Sequence, residues 1–218
     1  RTHAALAAAL ARRVGAAAAL PAYRLAPEHV FPAAVEDARA AWDALVAEGI
    51  APGRIALGGD SAGGGLAFAL LAGLIAEGAP LPAAVVAFSP WVDMTASGAS
   101  LRTLARRDVL IPVARFAEIR DLYLAGADPR DVRASPALGR FPGAPPVLIQ
   151  SSRHEALRDD GRMMAARLRS DGVAVVHEEV DRVPHVWQLY QGLVPEADAA
   201  VDRAAAFLAG RLGGRSEP

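Results

Sequence analysis

Gly59-Asp60-Ser61-Ala62-Gly63 is the segment of this sequence richest in potential chemistry. A serine hydroxyl is a weak nucleophile until a base takes its proton and the backbone lifts it clear of its neighbours. Glycines two residues either side of Ser61 permit a sharp, strained strand-to-helix turn that exposes the hydroxyl. The Ala62 amide then lies at the positive end of the following helix, where it can hold an oxyanion. With 20 Gly and 9 Ser in 218 residues, only about 0.07 chance matches to this spacing are expected. A phosphate-binding loop would want Gly-Lys-Ser/Thr, and the chain has no Lys.

A serine nucleophile needs a base and an acid to orient it. The histidines are His3, His29, His154, His177 and His185. His3 and His29 precede the turn, and His177 falls inside a strand pattern. His185, in Val183-Pro184-His185-Val186-Trp187, follows the last expected strand on a loop, which is where the order Ser, acid, His places the base. The acid should follow a strand between Ser61 and His185. Glu155, Asp159 and Asp160 qualify by type, but Asp159 and Asp160 read as first-turn helix residues favoured by the dipole. Glu155 sits on the loop itself and is the better candidate. Asp60, Trp91 after the next strand, and Trp187 two residues past the base are candidate walls of the substrate pocket, which the bulky tryptophans would restrict to short acyl chains; the alternative is that both tryptophans are core.

These residues must be carried by a strand–helix alternation. Helices are expected at Thr2–Val14, Pro32–Gly49, Ala62–Glu77, Pro112–Ala125, Asp159–Asp171 and Pro195–Arg211. Strands are expected at Ala16–Tyr23, Arg54–Gly58, Ala84–Phe88, Val147–Ser151 and Val173–Val180. The spacing predicts an α/β domain over 1–212, with a mostly parallel sheet and helices on both faces. Residues 93–140 read as an irregular insertion shaping the site, and 213–218 as a disordered tail. The helix after Ser61 is apolar nearly all round and should be buried.

Composition excludes several classes. Cysteine is absent, which removes disulfides, thiolate metal sites and a Cys nucleophile. Net charge is −1 and the 23 basic residues, all Arg, are scattered, so no nucleic-acid footprint is seen. No apolar run reaches the 18 or so residues of a membrane span, and no secretory signal is visible. The reading is cytoplasmic, without metal or cofactor; a homodimer is left open.

The longer motifs resemble the hormone-sensitive-lipase-like family of α/β-hydrolases. They are Tyr23-Arg24-Leu25-Ala26-Pro27-Glu28-His29, Phe31-Pro32-Ala33-Ala34, the Ser61 turn, Ser89-Pro90-Trp91-Val92-Asp93, Pro145 to Gln150, and Pro184 to Gln188. That resemblance implies the α/β-hydrolase fold and a carboxylic-ester hydrolase of the serine acyl-enzyme type, with a small-molecule ester as substrate. It puts the acid on Glu155, with Leu157 and Asp159 in register, and the base on His185. Lactone or amide hydrolysis, or a non-catalytic ligand-binding relative, are the alternatives. Two features depart from the family: Ala22 stands where Asp is usual, and the His-Gly-Gly-Gly oxyanion segment is missing. The chain is therefore expected to continue upstream of Arg1 with that segment on a further strand. An empty slot should then lie between Arg54–Gly58 and Ala16–Tyr23.

Overall fold

The computed structural model describes residues 2–212, so the expected tail at 213–218 lies outside the described residues. In chain order the elements are α1 (Thr2–Val14), α2 (Ala33–Ala47), β1 (Ala56–Asp60), α3 (Ala62–Ala76) and β2 (Ala84–Phe88). They continue with α4 (Ser100–Thr103), α5 (Phe116–Leu124), β3 (Val147–Ser152), α6 (Arg158–Ser170), β4 (Val175–Val180) and α7 (Pro195–Leu212). The four strands form one parallel sheet in the order β1-β2-β3-β4.

Every residue of β2 and β3 is buried, as expected of strands sandwiched between two helical layers. Alternation sorts their side chains. Val85, Ala87, Val147 and Ile149 pack with Phe68 and Leu71 of α3 and with Met164 and Leu168 of α6. Ala84, Val86, Phe88 and Leu148 point the other way, onto Leu6 of α1 and Val201, Ala204 and Leu208 of α7. Helix α3 is buried over most of its length, because α2 covers its outer side through Ala38 and Trp42 against Leu70 and Leu74.

One expected strand does not form. Residues 15–22 are exposed and without regular structure, and the Arg24 segment that follows is tied to α2 instead. The Arg24 amide donates to Asp37 Oδ2 at 2.7 Å and its guanidinium reaches Asp37 and Glu36. An alanine-rich run has little to pack on a pleated surface, so burial does not repay its ordering. β1 pairs with β2 alone, leaving its other edge without a strand among the described residues. A helical turn at Pro52–Arg54 moves the start of β1 from Arg54 to Ala56, and the strand runs on to Asp60, directly beneath Ser61. The final strand likewise begins at Val175 rather than Val173. The 93–140 region holds only α4, α5 and short helical turns, with Pro112 lying outside α5.

Candidate active site

All four loops at the C-terminal ends of the strands converge on one rim, where open parallel sheets place their sites. Ser61 follows β1 with φ 52° and ψ −120°, a conformation that a residue bearing a Cβ adopts only under constraint. Its N–H donates to the Phe88 carbonyl at 2.9 Å, and its carbonyl accepts the Trp91 N–H at 2.9 Å. The turn closes because Gly59 lies against the backbone of Gly63 with no room for a Cβ. Gly63 itself faces open space; the tightly packed glycines are Gly64, against Pro90, and Gly65, against the Trp91 carbonyl oxygen. The Ala62 amide, at the first position of α3, has no acceptor among the described residues.

Glu155 and His185 meet directly. Glu155, 1% exposed on the loop between β3 and α6, accepts the Ser152 N–H on Oε1 at 3.0 Å and pairs through Oε2 with His185 Nδ1 at 2.7 Å. With Nδ1 engaged, Nε2 is the ring atom left for proton transfer. The His185 loop is anchored at two points: Ser152 Oγ donates to the Val183 carbonyl, and the Val186 N–H donates to Ser89 Oγ at 3.2 Å. Ser89 follows Phe88, the residue that accepts from the Ser61 N–H, so the Ser61 and His185 loops are anchored on adjacent residues at the end of β2.

Asp159 and Asp160 do not contact His185. Asp159 accepts the Ser100 N–H at 2.8 Å and pairs with Arg158 and Arg162. Asp160 accepts the N–H groups of Val92 and Asp93 at 3.0 and 3.1 Å. Burial is the main influence that holds Asp160 well above the usual carboxylate range; charges on Asp93 and Glu155 add, against the two N–H bonds. Burial also pushes Asp93 up, but bonds from Ser97 and Thr95 overcome it and leave Asp93 below its ordinary value.

The pocket candidates divide. Trp91 stacks on Phe116, with ring centroids 4.4 Å apart, and walls a cavity of about 260 Å³ together with Ala62, Tyr23, Met94, Leu122 and Tyr123. Asp60 is 3.2 Å from His3 and raises the Tyr23 pKa, an effect smaller than that of burial. Burial pushes Tyr123 up to about 12, so both phenols stay neutral. Trp187 is not a pocket residue: it is 1% exposed, packs on Val183, Ala197 and Ala200, and donates through Nε1 to the Glu196 carbonyl. The left-handed Val186 before it turns the chain inward. A second cavity of about 340 Å³ adjoins His185, lined by Arg107, Asp108, His154 and Arg182 among others.

Sequence reasoning missed Asp108. Its carboxylate accepts the Ala156 N–H at 2.7 Å and the amides of Leu110 and Ile111, pinning the acid loop to the irregular region. Its bonds to Leu110 and Ile111 are local, but the one that ties it to the Glu155 loop comes from 48 positions away, which no local pattern reports.

A parallel sheet with a strained serine at a strand end and a buried acid–histidine pair behind it defines the class, and the chain belongs to the α/β-hydrolase family, in its bacterial hormone-sensitive-lipase-like branch. The matching family description reads alpha/beta hydrolase fold and covers residues 1–189. An acetyl-hydrolase of Streptomyces hygroscopicus is 45% identical over 208 residues, spanning 95% of this chain and 70% of that protein. An esterase of Acinetobacter venetianus is 32% identical, over 94% of this chain and 68% of its own length. The crystal structure of an esterase from the bacterial hormone-sensitive lipase family superposes with a TM-score of 0.94 at 44% identity, covering 97% of this chain and 71% of that one.

Proposed function

We propose that this protein is a serine carboxylesterase acting on small esters with short acyl chains. The observation that carries the reading is the buried Glu155–His185 pair at 2.7 Å on the rim where Ser61 sits in its strained turn. His185 Nε2 takes the Ser61 proton as Oγ attacks the ester carbonyl carbon. Glu155 holds the ring and stabilises the imidazolium that forms. The Ala62 N–H donates to the oxyanion. Collapse of the tetrahedral intermediate breaks the bond to the alcohol oxygen, which takes the proton back from His185 and leaves an acyl-Ser61 ester. Water, giving its proton to His185, then releases the acid.

Further oxyanion donors are assigned to a His-Gly-Gly-Gly segment upstream, on a strand seated against the free edge of β1. The open edge supports this, as does the greater length of the relatives. Each such donor contributes about 10²–10³ in turnover, so a polypeptide carrying the segment should exceed these 218 residues by at least that factor.

Treatment with an organophosphate followed by intact-mass measurement tests the nucleophile without presuming a substrate. One adduct per chain, lost in Ser61→Ala, is expected; an unlabelled parent, or a labelled Ser61→Ala, would overturn the reading.

A further inference from the structure

We propose that Asp160 is a positioning residue: from the first turn of α6 it grips the backbone of Val92 and Asp93 and so sets the spacing between the serine turn and the acid loop. The inference rests on the roles given above to Ser61, Glu155 and His185.

The segment Pro90–Asp93 is the mechanical link. On one side it is wedged into the start of α3, with Pro90 against Gly64, the Trp91 carbonyl against Gly65, and the Trp91 N–H bonded to the Ser61 carbonyl. On the other side its next two amides, Val92 and Asp93, both donate to Asp160 Oδ1 and have no other acceptor among the described residues. Asp160 is 1% exposed and lies five positions beyond Glu155 in sequence. The intervening Ala156 and Leu157 are themselves fully buried against Leu101 and Phe116, so the carboxyl has no slack. A shift of Asp160 is thus passed to Ser61 through one rigid segment and to Glu155 through one buried loop.

A capping role for α6 does not explain the residue. Neither of its recorded bonds goes to an α6 amide, whereas the neighbouring Asp159 bonds Ser100 and its own helix's Arg158. Both amides bond one oxygen, Oδ1, and burial raises the Asp160 carboxyl above its ordinary range, so an amide that presents the same oxygen should replace it well.

The experiment compares Asp160→Asn and Asp160→Leu in the full-length polypeptide, with kcat and KM measured on p-nitrophenyl butyrate. Turnover is expressed per organophosphate-labelled site, and Ser61→Ala is run alongside. Asp160→Asn keeps an acceptor for both amides and should hold kcat within about threefold. Asp160→Leu should lower kcat by about 10- to 100-fold at nearly unchanged KM, the effect of a misplacement of about 1 Å. Should the leucine variant not fold, Asp160→Glu, whose acceptor is one methylene further out, serves in its place and should show the same fall. Unchanged kcat per labelled site in Asp160→Leu or Asp160→Glu, or an equal fall in Asp160→Asn, overturns the inference. Hydrolysis by Ser61→Ala, or an inactive parent, overturns the functional reading itself.

Discussion

Ser61 carries the strain of the site in its own backbone, and what lies around it is arranged to keep that conformation rather than to relieve it. The Glu155–His185 pair has a different character: both side chains are buried, and both carboxylate oxygens are engaged. On the proposed mechanism, removing either side chain should therefore be severe while the fold persists. His185→Ala should match Ser61→Ala in its loss of kcat, because members of such a unit do not act additively. Glu155→Gln sets an amide against Nδ1 and spoils its tautomer preference, an expected cost of about 10³–10⁴ in kcat. Asp159→Asn should stay far milder. Steady-state kinetics on one chromogenic ester decide it, and an Asp159 variant worse than Glu155→Gln would move the acid.

At the scale of elements, the glycines of the turn are not equivalent. A Cβ on Gly65 would collide with the Trp91 carbonyl, and one on Gly59 with the Gly63 backbone; at Gly63 there is nothing to meet. Gly65→Ala and Gly59→Ala should each destabilise by about 1–3 kcal/mol or more in urea unfolding. Gly63→Ala should be neutral or gain up to about 1 kcal/mol from helix propensity. Asp160 adds a pH dependence. Its folded pKa lies above the unfolded value, so above the ordinary carboxylate value of 3.8 the folded state holds the extra proton and stability falls as pH rises through that window. Asp160→Asn abolishes this loss, so its stability relative to the parent should improve from about pH 4 to pH 7. A constant difference across that range would mean the carboxyl ionises alike in both states.

Across the whole molecule, the sheet is protected unevenly. β3 is central and fully buried, whereas β1 pairs on one side only and is partly exposed along its length. Hydrogen exchange of the 218-residue chain should show Val147–Ser152 among the slowest amides and Ala56–Asp60 among the fastest of the strands. Equal protection would mean the free edge of β1 is covered. The cavity beside Ala62 draws its walls from the Tyr23 segment, the start of α3, Trp91 and Met94, α5, Arg133 and Ala134, and Ala34 of α2. At about 260 Å³ and lined by Trp91, Tyr23 and Tyr123 among others, it would suit short acyl groups on the proposed mechanism. Butyryl esters should be turned over faster than palmitoyl esters of the same alcohol, and a palmitoyl optimum would contradict that use of the cavity.

The sequence by itself determined the class of fold and the serine turn, and it pointed to Glu155 and His185 as the pair that the structure brings together. Those rest on signals a few residues long: glycine spacing around Ser61, apolar runs in β2 and β3, and loop positions after strands. The longer Tyr23 to Ala34 motif was equally legible as a resemblance, yet its own lead-in was misread as a strand, because strand formation needs a partner that no local pattern reports. Tertiary structure alone decided that Trp187 belongs to the core while Trp91 faces the cavity, since both are tryptophans on segments that follow a strand and what packs on them separates the two. Loop position already favoured Glu155 over Asp160 in the sequence, but only the tertiary structure gave Asp160 its own partners: a histidine arrives at Glu155, and two backbone amides from a distant segment arrive at the Asp160 carboxyl group.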